Sequence, residues 1–468
     1  MKSRVVLIAS PGKTSFSMGY PLGISYISAV LKNNGNDVSI YDFSSYAYPV
    51  DRFINEIKEK NPDFVGLTVF TYYYNEAKKM ISLLRRAIPR AKIVIGGPHV
   101  SALPVYSLVG LNADFGIVGE GEYAFLDIIR TIESNCHNFD NIAGIVYWKD
   151  NKPILNSGCN LIRNLDELPF PAWDLLSFSK YEDITGQVFF KAKPIAPLLT
   201  SRGCPHLCSF CASHVIHGRN LRRRSFLNVV DEVEFLIKNY GVKEININDD
   251  TFSEIQDHAL SICKEIIKRK LRISWRASAG MRADTLNEEL LRVFKASGCY
   301  SLSLGIESFN DKVLLKARKP LLKSQLKDKI RMVREFGIEV VGFFILGLPE
   351  DTENSIRETI YFAKNSQLDF PIFSQAVPLP GSDIFNQKYS QEDLIKFDWD
   401  SFDFNTNFPF GISEVAPAKL KKLYSVAYLS CYLVPRRILR IVTYFLYKRK
   451  IKILKLIKTG YYILRNLL

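Results

Sequence analysis

The sequence predicts an α/β protein: an N-terminal doubly wound (Rossmann-like) parallel sheet domain, a partial (β/α)6 barrel, and a helical, basic C-terminal tail. Three observations carry this. Short apolar β-type runs alternate with helical patterns five times in the first third of the 468 residues. The alternation restarts after Pro194 and recurs six times. From Val415 to Leu468 there are thirteen Lys or Arg and no Asp or Glu, so the rest of the chain holds only about +1 of the net +14.

The composition, 47% hydrophobic and 24% charged, is that of a globular chain with a large core and excludes a disordered one. Eight cysteines without regular spacing exclude a secreted disulfide framework. The apolar run at the N-terminus is too short for a signal peptide and reads as a first strand. A reducing cytoplasm is expected, with Cys136, Cys159, Cys263, Cys299 and Cys431 as scattered structural thiols.

The first domain is expected over residues 1–140, with strands at 4–10, 37–43, 63–70, 91–97 and 114–119. Between them lie helical patterns such as Gly23-Ile-Ser-Tyr-Ile-Ser-Ala-Val-Leu-Lys, apolar at i, i+3, i+4 and i+7. Strand–helix spacing of this kind gives right-handed crossovers and a parallel sheet. Ligands then bind at the carboxyl ends of the strands. There the sequence places Gly96-Gly97-Pro-His99 and Gly119-Glu120-Gly-Glu122, whose glycines let a backbone approach a bulky ligand. Gly12-Lys13-Thr14 looks like the end of a phosphate loop, but Leu7 stands where that motif needs its first glycine. No G-x-G-x-x-G follows the first strand either, which argues against a dinucleotide. Taken alone, His99 reads as a turn or packing residue. Tyr72, Tyr73 and Tyr74 read as packing rather than catalytic.

Residues 141–191 read as an ordered connector. It opens with a strand, turns at Asp150-Asn151, and loses regular structure at Pro169 and Pro171.

The barrel is expected over 192–385, with strands at 195–200, 243–248, 272–278, 300–305, 339–346 and 370–377. Helices are expected at 226–240, 254–270, 287–297, 322–336 and 353–366. Chemistry in β/α barrels sits at the strand C-terminal ends. Cys204/Cys208/Cys211, Asp249-Asp250, Arg276, Glu307-Ser308 and Gly347-Leu-Pro-Glu350 all fall there, and the shared address argues for one site.

Thr200-Ser-Arg-Gly-Cys204-Pro-His-Leu-Cys208-Ser-Phe-Cys211 places three thiols in a C-x3-C-x2-C run. One reading is a closed zinc site with His206 or His214 as fourth ligand. The other is a cubane cluster with a thiolate on each of three irons and the fourth iron open. Placement after the first barrel strand favours the second, because the loop would hold a cluster over the barrel mouth.

With Phe210 before its last cysteine, this run resembles the signature of radical S-adenosylmethionine (SAM) enzymes. The layout of residues 1–385, with Pro21-Leu-Gly, Gly96-Gly-Pro-His and Gly119-Glu-Gly-Glu, is similar to the cobalamin-binding branch of that family. The anaerobic magnesium-protoporphyrin ester cyclase and the hopanoid-modifying enzymes are of this type. The resemblance implies a 4Fe–4S cluster on Cys204, Cys208 and Cys211. Its open iron would bind SAM, and one electron from a flavodoxin- or ferredoxin-type donor would release a 5′-deoxyadenosyl radical. It implies SAM contacts at Asp249 and Asp250 for the amino group, although these acids also suit the cap of the following helix. Arg276 would take the SAM carboxylate or pair with Asp249. Glu307 would hold the ribose, and the Gly347 turn would lie on the adenine side. Gly96, Gly97, His99, Gly119 and Glu120 would face cobalamin. The D-x-H-x-x-G motif is absent after the first strand, so no histidine from that loop is expected on cobalt.

The implied activity is methylation or oxidative modification of an unactivated carbon in a small-molecule or lipid-like substrate. Competing readings are a radical SAM enzyme without cobalamin and a non-enzymatic zinc-binding scaffold. In the C-terminal extension, 386–468, Ile451, Leu454, Ile457, Tyr461 and Leu464 form one apolar helical face, with Lys448, Lys452 and Lys455 off it. No run is long enough to span a bilayer. A basic amphipathic helix suits peripheral attachment to the inner face of an anionic membrane. No nucleic-acid-binding module accompanies the charge.

Overall fold

The computed structural model describes residues 2–9, 20–43, 49–136, 138–181, 190–319, 321, 323–390, 392–402 and 409–443. The Gly12-Lys13-Thr14 turn and the amphipathic face at 451–464 lie outside them.

The N-terminal unit runs β1 (Arg4–Ala9), α1 (Leu22–Asn33), β2 (Asp37–Asp42), α2 (Val50–Lys60), β3 (Phe64–Thr68), α3 (Tyr74–Ala87), β4 (Lys92–Gly96), α4 (Pro98–Ala102), α5 (Pro104–Leu111), β5 (Phe115–Ile117) and α6 (Glu122–Glu133). All five strands are parallel and ordered β2-β1-β3-β4-β5, the doubly wound arrangement expected. The order reverses between β1 and β3, where such sheets open a crevice for ligands. The sheet continues into the expected connector: β6 (Ile145–Lys149) adds antiparallel to β5, and β7 (Lys152–Leu155) antiparallel to β6. Their hairpin turns on Asp150 and Asn151 at φ 50° and 58°, the left-handed pair that a two-residue hairpin requires.

The barrel begins with β8 (Ile195–Leu198) and the two-residue β9 (Ser201–Arg202), followed by α7 (His214–His217), β10 (Arg222–Arg223) and α8 (Phe226–Tyr240). Next come β11 (Glu244–Ile247), α9 (Gln256–Lys268), β12 (Ser274–Met281), α10 (Glu288–Ala296) and β13 (Cys299–Glu307). A short α11 (Asp311–Lys316), unforeseen from the sequence, precedes α12 (Lys323–Glu335), β14 (Glu339–Leu346), α13 (Glu353–Asn365) and β15 (Phe370–Gln375). Six parallel strands in the order β8-β11-β12-β13-β14-β15 form the open barrel.

Two segments fasten the halves together. In the connector, the Trp173 ring packs tilted against Tyr20 (4.8 Å between centroids) and donates its indole N–H to Glu232 of α8 at 3.1 Å. One apolar core therefore runs from the α1/α6 layer through Leu165, Leu168 and Trp173 into the barrel. After α14 (Asp383–Lys388), the chain crosses back over the other face of the first sheet, where Leu394, Trp399 and Phe402 join its core.

The described part of the tail, α15 (Pro417–Tyr432) and α16 (Pro435–Thr443), docks on the barrel. Arg437 is 1% exposed and donates to the carbonyls of Ala363, Leu368 and Cys431. Arg440 pairs with Glu339 at 3.0 Å and also with Asp369. Some of the charge that looks like a surface feature in sequence is thus spent on internal docking. Among the described residues no helix is long and apolar enough to cross a membrane.

Candidate functional site

The cysteine loop leaves β9 through Gly203, at φ +95°, where an added Cβ would lie 2.4 Å from the Asn220 carbonyl oxygen. Only glycine fits that corner. Cys204, Cys208 and Cys211 follow, all partly exposed. Phe210 packs against Val313, Ala317, Leu348, Ala376 and Ile384, and the Ser209 N–H donates to the Ala317 carbonyl at 3.0 Å. The loop is thereby braced against the far wall of the barrel mouth. Burial pushes the Cys204 thiol up to about 11; it also raises Cys208, where the Lys319 charge opposes it. Among the described residues, no three His, Cys, Asp or Glu side chains converge on one ion. His206, the candidate fourth zinc ligand, is held by Glu254 at 2.8 Å.

Around this loop the strand-end residues divide. Asp249 is 3% exposed and accepts hydrogen bonds from the Thr200 N–H and hydroxyl and from the Ser201 hydroxyl, at 2.5–2.7 Å. Burial pushes it up to about 6. It ties β11 to the chain entering the cysteine loop, so its carboxylate is not presented to a ligand. Asp250 makes no hydrogen bond or ion pair among the described residues. It lies close enough to raise the Cys204 thiol, and burial raises its own carboxyl while His217 opposes. Arg276, expected beside SAM or Asp249, instead lies inside the barrel with its Nε 3.7 Å from Glu244. That acid also accepts from the Tyr300 hydroxyl and from the Lys191 and Ala192 N–H groups. The Gly347 turn is structural: its N–H donates to Asp351 at 2.9 Å, and an added Cβ would lie 2.6 Å from Leu420 of α15.

Glu307 closes β13 with a left-handed φ of 64°, a strained backbone for a residue with a side chain. Its carboxylate accepts from Lys319 Nζ at 2.6 Å, and both residues are more than nine-tenths buried. The pair sits over Gly305, where an added Cβ would lie 2.5 Å from the Lys319 nitrogen. Lys319 did not emerge from the sequence. It follows Lys316 and Arg318 in one basic run, and only the fold turns this one inward.

On the opposite side, a cavity of about 520 Å³ starts at the C-terminal ends of β1, β3, β4 and β5 and reaches β8, β11 and α7. That volume is ordinary for a cofactor or ligand site, about 300–1,000 Å³. Gly96, Gly97, Gly119 and Glu120 line it with Tyr20, Phe70, Arg202 and Asn248. Gly97 has φ +100°, and a Cβ there would press on the Val69 carbonyl at 3.0 Å. At Gly96 a Cβ would meet nothing within 4 Å, because the strand end opens onto the cavity. Tyr20 lines it with a ring packed against Trp173, Phe178 and Tyr181. These features fit a large cofactor laid across the sheet edge.

His99 is not part of this wall. It is fully buried, 4.7 Å from the Trp399 ring and 4.8 Å from the Tyr74 ring, with Nδ1 3.2 Å from the Thr71 hydroxyl. Burial pushes it down to about 3, so the imidazole stays neutral. Pro98, the residue before it, starts α4, and the ring lies against Trp399 of the C-terminal strap. Tyr73 and Tyr74 are buried among neighbouring rings, as packing residues.

Glu120 and Glu122 are buried as well, but face the barrel. Glu120 accepts from both terminal nitrogens of Arg222 at 2.8 and 2.9 Å and from the Ile162 N–H at 2.7 Å, with His217 Nδ1 at 3.0 Å. Arg202 donates to Glu122 at 2.7 Å and lies 3.3 Å from Glu120. Burial opposes ionisation of Glu120, but these partners outweigh it and draw the carboxyl down to about 2.

Comparison with known proteins agrees with this arrangement. Residues 12–129 match the B12 binding domain and residues 198–363 match the radical SAM superfamily. The chain is 30% identical to an uncharacterized methyltransferase of Pyrococcus horikoshii, covering 93% of this chain and 94% of that protein. It is also 30% identical to the cytidylyl-2-hydroxyethylphosphonate methyltransferase of Streptomyces wedmorensis, over 82% of this chain and 81% of that one. In fold it resembles the radical SAM methyltransferase TsrM of Kitasatospora setae, solved with cobalamin and a [4Fe-4S] cluster bound. That TM-score is 0.68 at 19% identity, covering 82% of this chain and 74% of that one. Likeness over nearly the whole length, with both domain matches in the same order, makes this chain a member of the radical SAM enzymes that carry a B12 binding domain.

Proposed function

We propose that the protein is a methyltransferase that modifies an unactivated carbon of a small-molecule substrate, using SAM, a 4Fe–4S cluster and cobalamin. The observation that supports it best is the cavity, which joins the sheet edge of the B12 binding domain to the chain entering the cysteine loop. A donor on one side and a radical source on the other would then face the same substrate. The cluster, when bound, supplies an open iron for SAM and the electron that cleaves it, and cobalamin supplies a methyl carrier.

The chain's own residues take the remaining tasks. Cys204, Cys208 and Cys211 would hold the cluster as thiolates; burial raises the Cys204 and Cys208 thiols, so assembly gives up protons. Asp250 accepts from the SAM ammonium. Lys319 would reach the SAM carboxylate and holds Glu307 in place beside the ribose hydroxyls. Asp249 fixes the start of the loop rather than touching SAM. Gly96, Gly97 and Gly119 leave the strand ends bare for cobalamin, beside the Tyr20 ring in the cavity wall. A flavodoxin- or ferredoxin-type protein supplies the electron.

The domain divisions 1–140, 141–191, 192–385 and 386–468 remain functional units in this reading, with the β6–β7 hairpin as an extension of the first sheet. We also assign the enzyme to the cytoplasm, with peripheral attachment to the inner membrane face. Leu433, just after α15, and Leu439 on α16 are about two-thirds exposed, and the acid-free basic tail follows.

The test is a product search. The anaerobically reconstituted enzyme is given cell extract and SAM labelled with a trideuteromethyl group, and products are read by mass spectrometry. Appearance of a trideuteromethylated compound together with 5′-deoxyadenosine supports methyl transfer. Deoxyadenosine with an oxidised, unlabelled product overturns it in favour of oxidative modification.

A further inference from the structure

Both ends of the cysteine loop are fastened to a single turn of the B12 binding domain. Arg202 stands two residues before Cys204, and α7 begins three residues after Cys211. Arg202 runs to Glu122 and Glu120, at 2.7 and 3.3 Å. From the other end, His217 closes α7 on Glu120, and Arg222 of β10 binds the same carboxylate twice. Arg222 in turn donates to the His217 carbonyl at 2.8 Å, so the exit of the loop is held as a unit. β10 pairs antiparallel with β9, joining the two ends.

These acids sit on Gly119-Glu120-Gly121-Glu122, and all four residues line the cavity. The turn has little slack. Gly119 is at φ +83° with its N–H on the Ser101 hydroxyl at 3.0 Å, and a Cβ at Gly121 would lie 3.1 Å from Ile27. The side chains of Glu120, Glu122 and Arg202 are 5% exposed or less, so solvent and salt screen their attraction weakly. A ligand that settles the turn therefore settles the loop, through ion pairs that reach it on both sides of the cysteines.

We propose that Glu120 and Glu122 are positioning residues that couple cobalamin in the cavity to the cluster on the cysteine loop, each cofactor binding more tightly when the other is present. The proposal rests on the assignment of the cluster to Cys204, Cys208 and Cys211. Reciprocity follows from linkage: whatever factor the cluster adds to cobalamin affinity, cobalamin adds to cluster affinity. An ion network that merely glued two domains would alter melting but would leave the two binding equilibria independent.

The experiment titrates hydroxocobalamin into full-length protein by absorbance, anaerobically, before and after cluster reconstitution. In the wild type the cluster tightens cobalamin binding by about fivefold or more, within the usual range for coupled sites. Glu122→Gln keeps the shape and one acceptor but removes the charge, and shrinks the ratio below about twofold. Arg222→Lys keeps the charge and retains more of the ratio than Arg222→Gln. The electron paramagnetic resonance spectrum of the reduced wild-type cluster provides a second reading that needs no variant: it changes when cobalamin is added. A wild-type ratio near one, an undiminished ratio in folded Glu122→Gln, or identical spectra would overturn the coupling. Iron and sulfide assays on the same samples keep the two ideas apart. Full iron without coupling sinks the latch alone, whereas wild-type protein that takes up no iron sinks the cluster assignment beneath it.

Discussion

Replacing Lys319 with Met tests the barrel side of the site with two independent readouts. The Met side chain keeps most of the volume and loses the charge. In the free protein it strands Glu307, a residue 6% exposed, which loses its 2.6 Å partner. Breaking a buried pair by removing one member costs about 3–5 kcal/mol. For a chain of this length that is a fall of several degrees in the melting of the barrel. With SAM, the loss is one charge-assisted hydrogen bond to its carboxylate, about 1.5–3 kcal/mol, or about 10- to 150-fold in affinity. The double variant Lys319→Met/Glu307→Gln separates these effects. It has no stranded charge, so it recovers most of the lost stability, yet SAM binding stays weak. The assays are thermal unfolding of the cluster-free protein and equilibrium dialysis of SAM against the reconstituted one. A Lys319→Met protein that melts and binds SAM like the wild type would refute both the buried pair and the assigned SAM contact. A double variant that regains SAM affinity would refute the contact alone.

Three further outcomes are expected. Trp399→Ala removes a 2% exposed indole that touches His99, Phe397 and Phe402 and donates to the Tyr106 hydroxyl at 3.0 Å. It should cost about 3–5 kcal/mol and speed hydrogen exchange in residues 392–402 and in α4. Cobalamin affinity should change little, because Trp399 does not line the cavity; unchanged exchange would contradict the strap. His99 is held neutral at about 3 when folded but titrates near 6.5 when unfolded, so its contribution is lost as pH falls below 6.5. Relative to His99→Gln, the wild type should lose about 3 kcal/mol between pH 7 and pH 4, and a pH-independent difference would show that the ring is not buried neutral. Truncation after Thr443 removes most of the remaining tail charge but spares the docked Arg437 and Arg440; it should abolish flotation with phosphatidylglycerol vesicles, and equal flotation of both proteins would remove the membrane proposal.

Much of the fold was legible because it depends on periodicity. Eleven apolar runs with helical patterns between them specify two parallel sheets, and the strands fall where those runs are. Glycine-dependent corners could be read too, since Gly97 and Gly119 both take positive φ at strand ends. The direction in which a charged side chain turns could not. Asp249 and Asp250 are adjacent and chemically identical, yet one is consumed by Thr200 and Ser201 while the other stays free among the described residues. Glu120 lines the cavity but spends its carboxylate on Arg222, which is 102 residues away in sequence. The strap that buries His99 comes from near residue 399, a distance at which local patterns carry no information. Arg276 turns to Glu244 and Lys319 to Glu307, pairings across the fold that position after a strand does not reveal.

The central claim is that three thiols at the barrel mouth hold an open-site iron–sulfur cluster that binds SAM. The direct measurement is iron, sulfide and zinc content of anaerobically reconstituted protein, with electron paramagnetic resonance of the reduced sample before and after SAM, in wild type and in Cys208→Ala. The account predicts roughly four irons and four sulfides per wild-type chain, a spectrum that shifts on adding SAM, and loss of both features in the variant. Zinc in place of iron, or a wild-type spectrum indifferent to SAM, would contradict it.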